Sequence, residues 1–333
     1  MVQSPIHVPD PSTPPPALEA PPRVVFKFGG TSVGQPERFE TVISILREAA
    51  ATGPVVAIVS ALSEVSRQLS AAVEKVATQT DGEGVGKSVI DTLRTRHRHQ
   101  AATVLSPKRQ DAYTAVLDER LEALRQRFTE VEQSGFTPAA RDAVLATGEQ
   151  LAVPMVALAL RDAGLQAPHC HATHLVVTDD THGAATVNRA ATAQRVRDWY
   201  QGLAPEAVPV VAGFVGATAN GTTTTLGFEG SDYSAALFAR ILDAQCLTRY
   251  TDVDGLYTAD PSAHADAQRL DCLSMEEAFA MTESGDLGMH PKTLRPLVDA
   301  DIPMQVRSIL HPDRPGTHIL PAGVSSEALW PAP

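Results

Sequence analysis

Lysine is scarce in this chain. Of 27 basic residues, only Lys27, Lys75, Lys87, Lys108 and Lys292 carry an ammonium group, and 39 acidic residues leave a formal charge of −12. That field disfavours broad contact with nucleic acid or an anionic membrane, and it repels small anions too, so an anionic ligand requires a local positive pocket. No apolar run reaches the ~20 residues that span a bilayer. The N-terminus has no basic-then-apolar leader, and the cytoplasm is the expected compartment. Cys170, Cys246 and Cys272 are widely spaced in apolar settings and read as reduced thiols rather than a disulfide frame. His169-Cys170-His171 with His174 fits no common zinc spacing and alternates like a strand, so no metal is expected there. No internal repeat is visible.

What is present is a globular composition. The 333 residues are 43% hydrophobic and 20% charged, enough for one large domain or two modest ones to fold unaided. Residues 1–22 read as a disordered, proline-rich tail. Beyond it, short apolar runs such as Val24–Phe28, Val55–Val59 and Val208–Val215 alternate with helical periodicities. Phe39, Val42, Ile43 and Leu46 mark one helix, and an apolar helix runs from Ala146 to about Ala163. Residues 84–134 read as a helical insert or lid, with Leu117, Leu121, Leu124 and Phe128 on one face. Within it the basic cluster Arg94, Arg96, His97, Arg98 and His99 reads as a solvated helix face. Ser274-Met275-Glu276-Glu277 is a capping box. Strands alternating with helices, apolar throughout, imply an α/β fold with a mostly parallel central sheet covered on both faces.

The stretch that organises the rest is Val24-Val25-Phe26-Lys27-Phe28-Gly29-Gly30-Thr31-Ser32. A buried strand ends in two glycines, and Pro36 then opens a helix. Backbone N–H groups at such a turn approach an anion closely, and Lys27 at the strand's end reaches the same place. An ordinary turn with a solvated lysine fits the spacing equally well. The string is neither a phosphate-binding loop with its lysine after the glycines nor a dinucleotide fingerprint.

Read whole, Lys27-Phe28-Gly29-Gly30-Thr31-Ser32-Val33 resembles the opening signature of the aspartate kinases, in the amino acid kinase family. Gly227-Phe228-Glu229-Gly230-Ser231-Asp232 resembles the second signature, and Arg249-Tyr250-Thr251-Asp252-Val253-Asp254-Gly255-Leu256-Tyr257 through Pro261 the third. Ser60-Ala61 with Ser66, Gly148-Glu149 and His290-Pro291-Lys292-Thr293-Leu294 resemble further family stretches. The resemblance covers about residues 23–320. It implies a three-layer α/β/α sandwich, with an amino-acid-binding lobe over 23–205, a nucleotide-binding lobe over 206–320 and a tail over 321–333. The implied reaction is ATP-dependent phosphorylation of the β-carboxylate of L-aspartate, first step toward lysine, threonine and methionine. In that scheme Lys27 and Asp232 are catalytic. Lys27, Gly29, Gly30, Ser231, Thr251, Asp252 and Tyr257 hold ATP; Thr31, Ser32, Ser60, Ser66 and Glu149 hold the amino acid. Mg²⁺ arrives with ATP and takes no direct protein ligand.

Three positions depart from the pattern. Phe228 replaces the arginine that clamps a substrate carboxylate, a loss on the order of 2 to 5 kcal/mol for a partly buried pair. Leu287 replaces a lysine that contacts phosphates, and Ser262 a common arginine. Arg67, beside Ser66, is the candidate replacement clamp. Besides the aspartate kinase reading, the departures leave open a kinase for a different amino-bearing acid and a non-catalytic nucleotide-binding partner of an intact kinase. Relatives usually continue into ACT regulatory domains. As this sequence ends at Pro333, the expectation is no feedback by that route, and any homodimer formed without ACT contacts.

Overall fold

The computed structural model describes residues 24–78, 81–259, 263, 264, 266–285, 287 and 289–324. The expected tail over 1–22, Ser262, and the C-terminal residues from 325 lie outside them.

Eight strands form one sheet. Its order from edge to edge is Cys272–Ser274, Thr317–Leu320, Met304–Ser308, Cys246–Thr251, Val24–Phe28, Val55–Val59, Val210–Ala212 and His169–Cys170. Only the Met304–Ser308 pairing with Thr317–Leu320 is antiparallel. Val24–Phe28 and Val55–Val59 bury every residue, as parallel strands covered on two faces must.

Alternation along Val24–Phe28 sends Val24, Phe26 and Phe28 to one face and Val25 and Lys27 to the other. On the first face Phe28 stacks on Phe26 and Tyr250, with ring centroids 6.0 and 5.3 Å apart. The helix Pro36–Ala50 flanks it, and Val24, Phe26, Phe39, Ile43 and Tyr250 border a cavity of about 1170 Å³ that contains no expected site residue. The second face receives the helix Gly230–Ile241, whose Ala235, Ala236 and Ala239 are fully buried and let it lie close to the strands. Helix, sheet and helix make the three layers.

Several expectations need revision. The run Val208–Val215 is not one strand: Val210–Ala212 belongs to the large sheet, and Val215–Thr218 to a separate three-stranded sheet. The break falls at Phe214, whose φ of 70° turns the chain out of extended conformation. A short helix, Gly30–Val33, precedes the expected one. The insert is a hairpin of Gly82–Val104 and Pro107–Ser134, packed against Val65–Thr78 and Thr147–Asp162. Its apolar stripe is buried and the Tyr113 hydroxyl donates to the Leu151 carbonyl at 3.1 Å, so it is wall rather than lid. The basic cluster divides. Arg94 and Arg98 pair with Asp118 on the surface, whereas His97 is buried, its pKa taken down to about 4 by desolvation. Arg96 donates to the Ser63 carbonyl at 2.6 Å. The stretch Pro138–Asp162 is apolar enough to cross a bilayer, but its most apolar window is 89% buried here as core.

If the hairpin is structural, Leu121→Ala or Leu124→Ala costs about 2 to 5 kcal/mol of unfolding free energy, read from denaturant midpoints. A freely moving lid would show almost no change.

Candidate active site

The register of two neighbouring strands places Lys27 opposite Arg249. Both side chains reach the carboxylate of Asp232, in the first turn of the helix Gly230–Ile241. Lys27 Nζ donates to Asp232 Oδ2 at 3.0 Å, and Arg249 Nε lies 2.9 Å from Oδ1, an ion pair whose angle falls outside hydrogen-bond geometry. Burial pushes the Asp232 carboxyl up, but Arg249 and Lys27 together hold it below its ordinary value. Burial likewise depresses Lys27, opposed by Asp232 and reinforced by Arg249, and the net direction is down. Sequence reasoning placed Arg249 at the head of the third stretch but gave it no role; its signal was an arginine inside a largely buried strand.

A cleft of about 540 Å³ opens beside this cluster. It brings together Lys27, Gly30, Ser60, Ser66, Glu149, Ser231 and Asp232, all expected in the site. Gly30 is needed for its closeness, since a Cβ there would stand 2.7 Å from the Ala61 carbonyl oxygen. Glu149 is 2% exposed. Its Oε1 accepts from the Ala61 N–H at 3.0 Å, while the buried Oε2 has no partner. Desolvation raises its pKa to about 7 against that hydrogen bond. Ser32 Oγ is likewise buried without a partner. A carboxylate oxygen held open in a dry cleft suits a cation such as a substrate ammonium.

Other expected residues stand apart from this cleft. Gly29 lies at the strand end, 3.4 Å from Lys27 Nζ measured from an added Cβ, and Thr31 is half-buried, its carbonyl accepting from Arg38. Thr251 ends the strand next to Lys27 and Asp252 follows it, with the Thr251 hydroxyl donating to Asp252 at 3.2 Å. The Tyr257 hydroxyl donates to Asp254, which also pairs with Arg314 at 2.9 Å.

The departures have a clear geometry. Phe228 is 76% exposed at the cleft rim, and Leu287 is buried. Glu229, at φ 53°, turns its carboxylate away to the start of the helix Pro291–Val298, accepting from His290 N at 2.7 Å and Thr293 Oγ1 at 3.2 Å. Lys292 Nζ donates to the Leu226 carbonyl at 2.8 Å, so the loop is pinned from both sides. Arg67 also lines the cleft, where it is exposed and tied to Glu64. Asp142, also missed, is fully buried and accepts from His182 Nδ1, Gly183 N, Thr225 N and Thr225 Oγ1, which fixes one wall.

The description of the amino acid kinase family matches residues 22–308. The chain belongs to that family. Over 297 residues it is 32% identical to lysine-sensitive aspartokinase 3 of Escherichia coli, covering 88% of this chain and 63% of that protein. It is 29% identical to bifunctional aspartokinase/homoserine dehydrogenase 1 of Arabidopsis thaliana, covering 89% of this chain and 32% of that protein. The chain thus spans about a third of the length of such bifunctional relatives. The crystal structure of E. coli aspartokinase III in complex with aspartate and ADP superposes with a TM-score of 0.81 at 29% identity, covering 91% of this chain and 65% of that one. The α/β fold with its mostly parallel sheet is the fold of this family.

Glu149 has a folded pKa near 7, above the value of 4.5 for an unperturbed group, so its ionisation costs stability as pH rises through that window. Glu149→Gln therefore melts higher than the wild type at pH 8, and the gap narrows by pH 5. Equal gaps at both values, measured calorimetrically, would exclude the buried titration.

Proposed function

We propose that this chain is an aspartate kinase catalytic unit, transferring the γ-phosphoryl group of ATP to the β-carboxylate of L-aspartate to give 4-phospho-L-aspartate, the entry step toward lysine, threonine and methionine. The carrying observation is one cleft that brings Lys27 and Asp232, the latter also paired with Arg249, together with the open oxygen of Glu149. Its similarity to E. coli aspartokinase III, seen with aspartate and ADP, supports the reading.

The acceptor carboxylate is already ionised at neutral pH, so no protein base is required. A carboxylate oxygen forms the new bond to phosphorus as the bond to the β-phosphate oxygen breaks, and ADP leaves with that electron pair. The protein's work is then positioning and charge stabilisation. Lys27 and Arg249 face the transferred group, with backbone N–H groups at Gly29 and Gly30. Asp232 keeps both cations in place. With both its oxygens engaged, Asp232 suits a metal held through the phosphates and water better than a direct ligand; Mg²⁺ would supply charge neutralisation there. Glu149 takes the substrate ammonium, with Ser60, Ser66, Thr31 and Ser32 around it. Residues 206–320, through Ser231, Thr251, Asp252 and Tyr257, serve the nucleotide, and residues 23–205 the amino acid. We place the activity in the cytoplasm; no disulfide joins Cys170, Cys246 and Cys272.

A kinase of a different amino-bearing acid is the second reading, favoured by the exposed Phe228 at the cleft rim. Retention of Lys27, Asp232 and Glu149 argues against a non-catalytic partner.

ADP release with ATP, Mg²⁺ and a panel of amino acids separates these readings. Aspartate-dependent release that drops roughly 100-fold or more in Lys27→Ala is the expected result; silence with every acid, nucleotide binding retained, would point to the non-catalytic partner. Because free-enzyme groups govern kcat/KM, its value for aspartate rises between pH 6 and 8 as Glu149 ionises. A flat profile across that range would remove Glu149 from ammonium binding.

A further inference from the structure

We infer that Arg141 holds the α-carboxylate of the amino-acid substrate, filling the role that Phe228 leaves vacant; this rests on the kinase reading above. Arg141 lies on the helix Pro138–Leu145 and lines the same cleft as Glu149 and Lys27. It is half-buried. One Nη donates to Ser70 Oγ at 3.1 Å, one helical turn beyond Ser66. The other stands 3.9 Å from where a Cβ on Gly183 would be. Gly183 in turn touches Gly227, its carbonyl oxygen 3.0 Å from an added Cβ there, and Gly227 directly precedes Phe228. The guanidinium thus reaches the same wall as position 228, from the opposite strand of chain.

Its base is rigid. The next residue, Asp142, is fully buried with four hydrogen bonds to His182, Gly183 and Thr225, and Thr137 caps the helix by accepting from Ala140 N. Among the described residues no carboxylate pairs with Arg141, since Asp142 is committed to the wall. The other arginines near the cleft are occupied: Arg67 with Glu64, Arg96 with Ser63 and Arg249 with Asp232. A planar fork aimed at a carboxylate is what bidentate recognition requires. Glu149 on the ammonium and Arg141 on the α-carboxylate grip an amino acid at two points. Its side-chain carboxylate is left for Lys27 and the phosphate.

The test compares Arg141→Ala, Arg141→Lys and Arg141→Ala/Phe228→Arg with the wild type, using L-aspartate and its α-amide. Arg141→Ala raises KM for aspartate roughly 30-fold or more, with KM for ATP within about 3-fold. Arg141→Lys recovers part of the loss, and added Phe228→Arg restores aspartate KM. The α-amide, which has no α-carboxylate, is a poor substrate of the wild type and is made no worse by Arg141→Ala. An unchanged aspartate KM, or equal losses for aspartate and its α-amide, overturns the inference while leaving the kinase reading intact. A wild-type protein that releases ADP with no acid in the panel overturns the kinase reading, and this inference with it.

Discussion

One carboxylate between two cations sets the terms for everything around it. Asp232 and Lys27 are out of water, and Arg249 meets them from a half-buried position. A buried ion pair is stable only if its geometry is held, because removing one partner leaves an uncompensated charge in low dielectric. Here the count is uneven: Lys27 and Arg249 bring two positive charges to one negative one. The sheet enforces this by register, placing the two side chains on adjacent strands and the same face. The helix Gly230–Ile241 can deliver Asp232 between them because its small residues let it settle onto the sheet. In the proposed function, the phosphate of the nucleotide would meet that surplus charge and complete the set. Binding an anion also favours the charged form of Lys27, which burial and Arg249 otherwise discourage.

The second end of the cleft repeats that logic with the sign reversed. Glu149 has one oxygen held by a backbone N–H and one held by nothing, in a place dry enough to raise its pKa to about 7. In the proposed function, an arriving ammonium would lower that pKa again and convert the stored desolvation into affinity. On that reading, a chain of net charge −12 would bind anions by local concentration of cations, against its own long-range field.

Lys27 stood out at a glycine-flanked strand end, whereas Asp232 and Glu149 were singled out by the resemblance of their stretches to the family, since a carboxylate at a helix start alone fits capping equally well. Burial of the central strands was legible as well, since covered parallel strands read as unbroken apolar runs. Arg249 was not. Its meeting with Lys27 depends on the register of strands more than two hundred residues apart, which no local pattern encodes. Arg141 and Asp142 escaped for a related reason: they sit on a short helix that looks like surface until Thr225 and the loop at Gly183 fold onto it. Arg67 was chosen for its nearness to Ser66 along the chain; it does line the cleft, but as an exposed side chain paired with Glu64 rather than on the wall that Asp142 fixes. The split at Phe214 was hidden too, because a positive φ on an aromatic residue is set by packing against Gly230 rather than by local preference.

The altered loop shows why losing an arginine at position 228 need not dissolve the site. Glu229 is held in a left-handed conformation by His290 and Thr293, and Lys292 ties down the Leu226 carbonyl on the same side. Those contacts are made by the Glu229 carboxylate and the Leu226 carbonyl and not by the residue at 228. They fix where Ser231 and Asp232 begin their helix, whatever side chain stands at the rim. The charge cluster is therefore insulated from the substitution, and the rim is the part of the cleft where substrate preference is open to change. A cation lost from that rim is replaceable only from a wall that is equally fixed. The Asp142 anchor makes the neighbouring helix such a wall, and Arg141 is the side chain it presents.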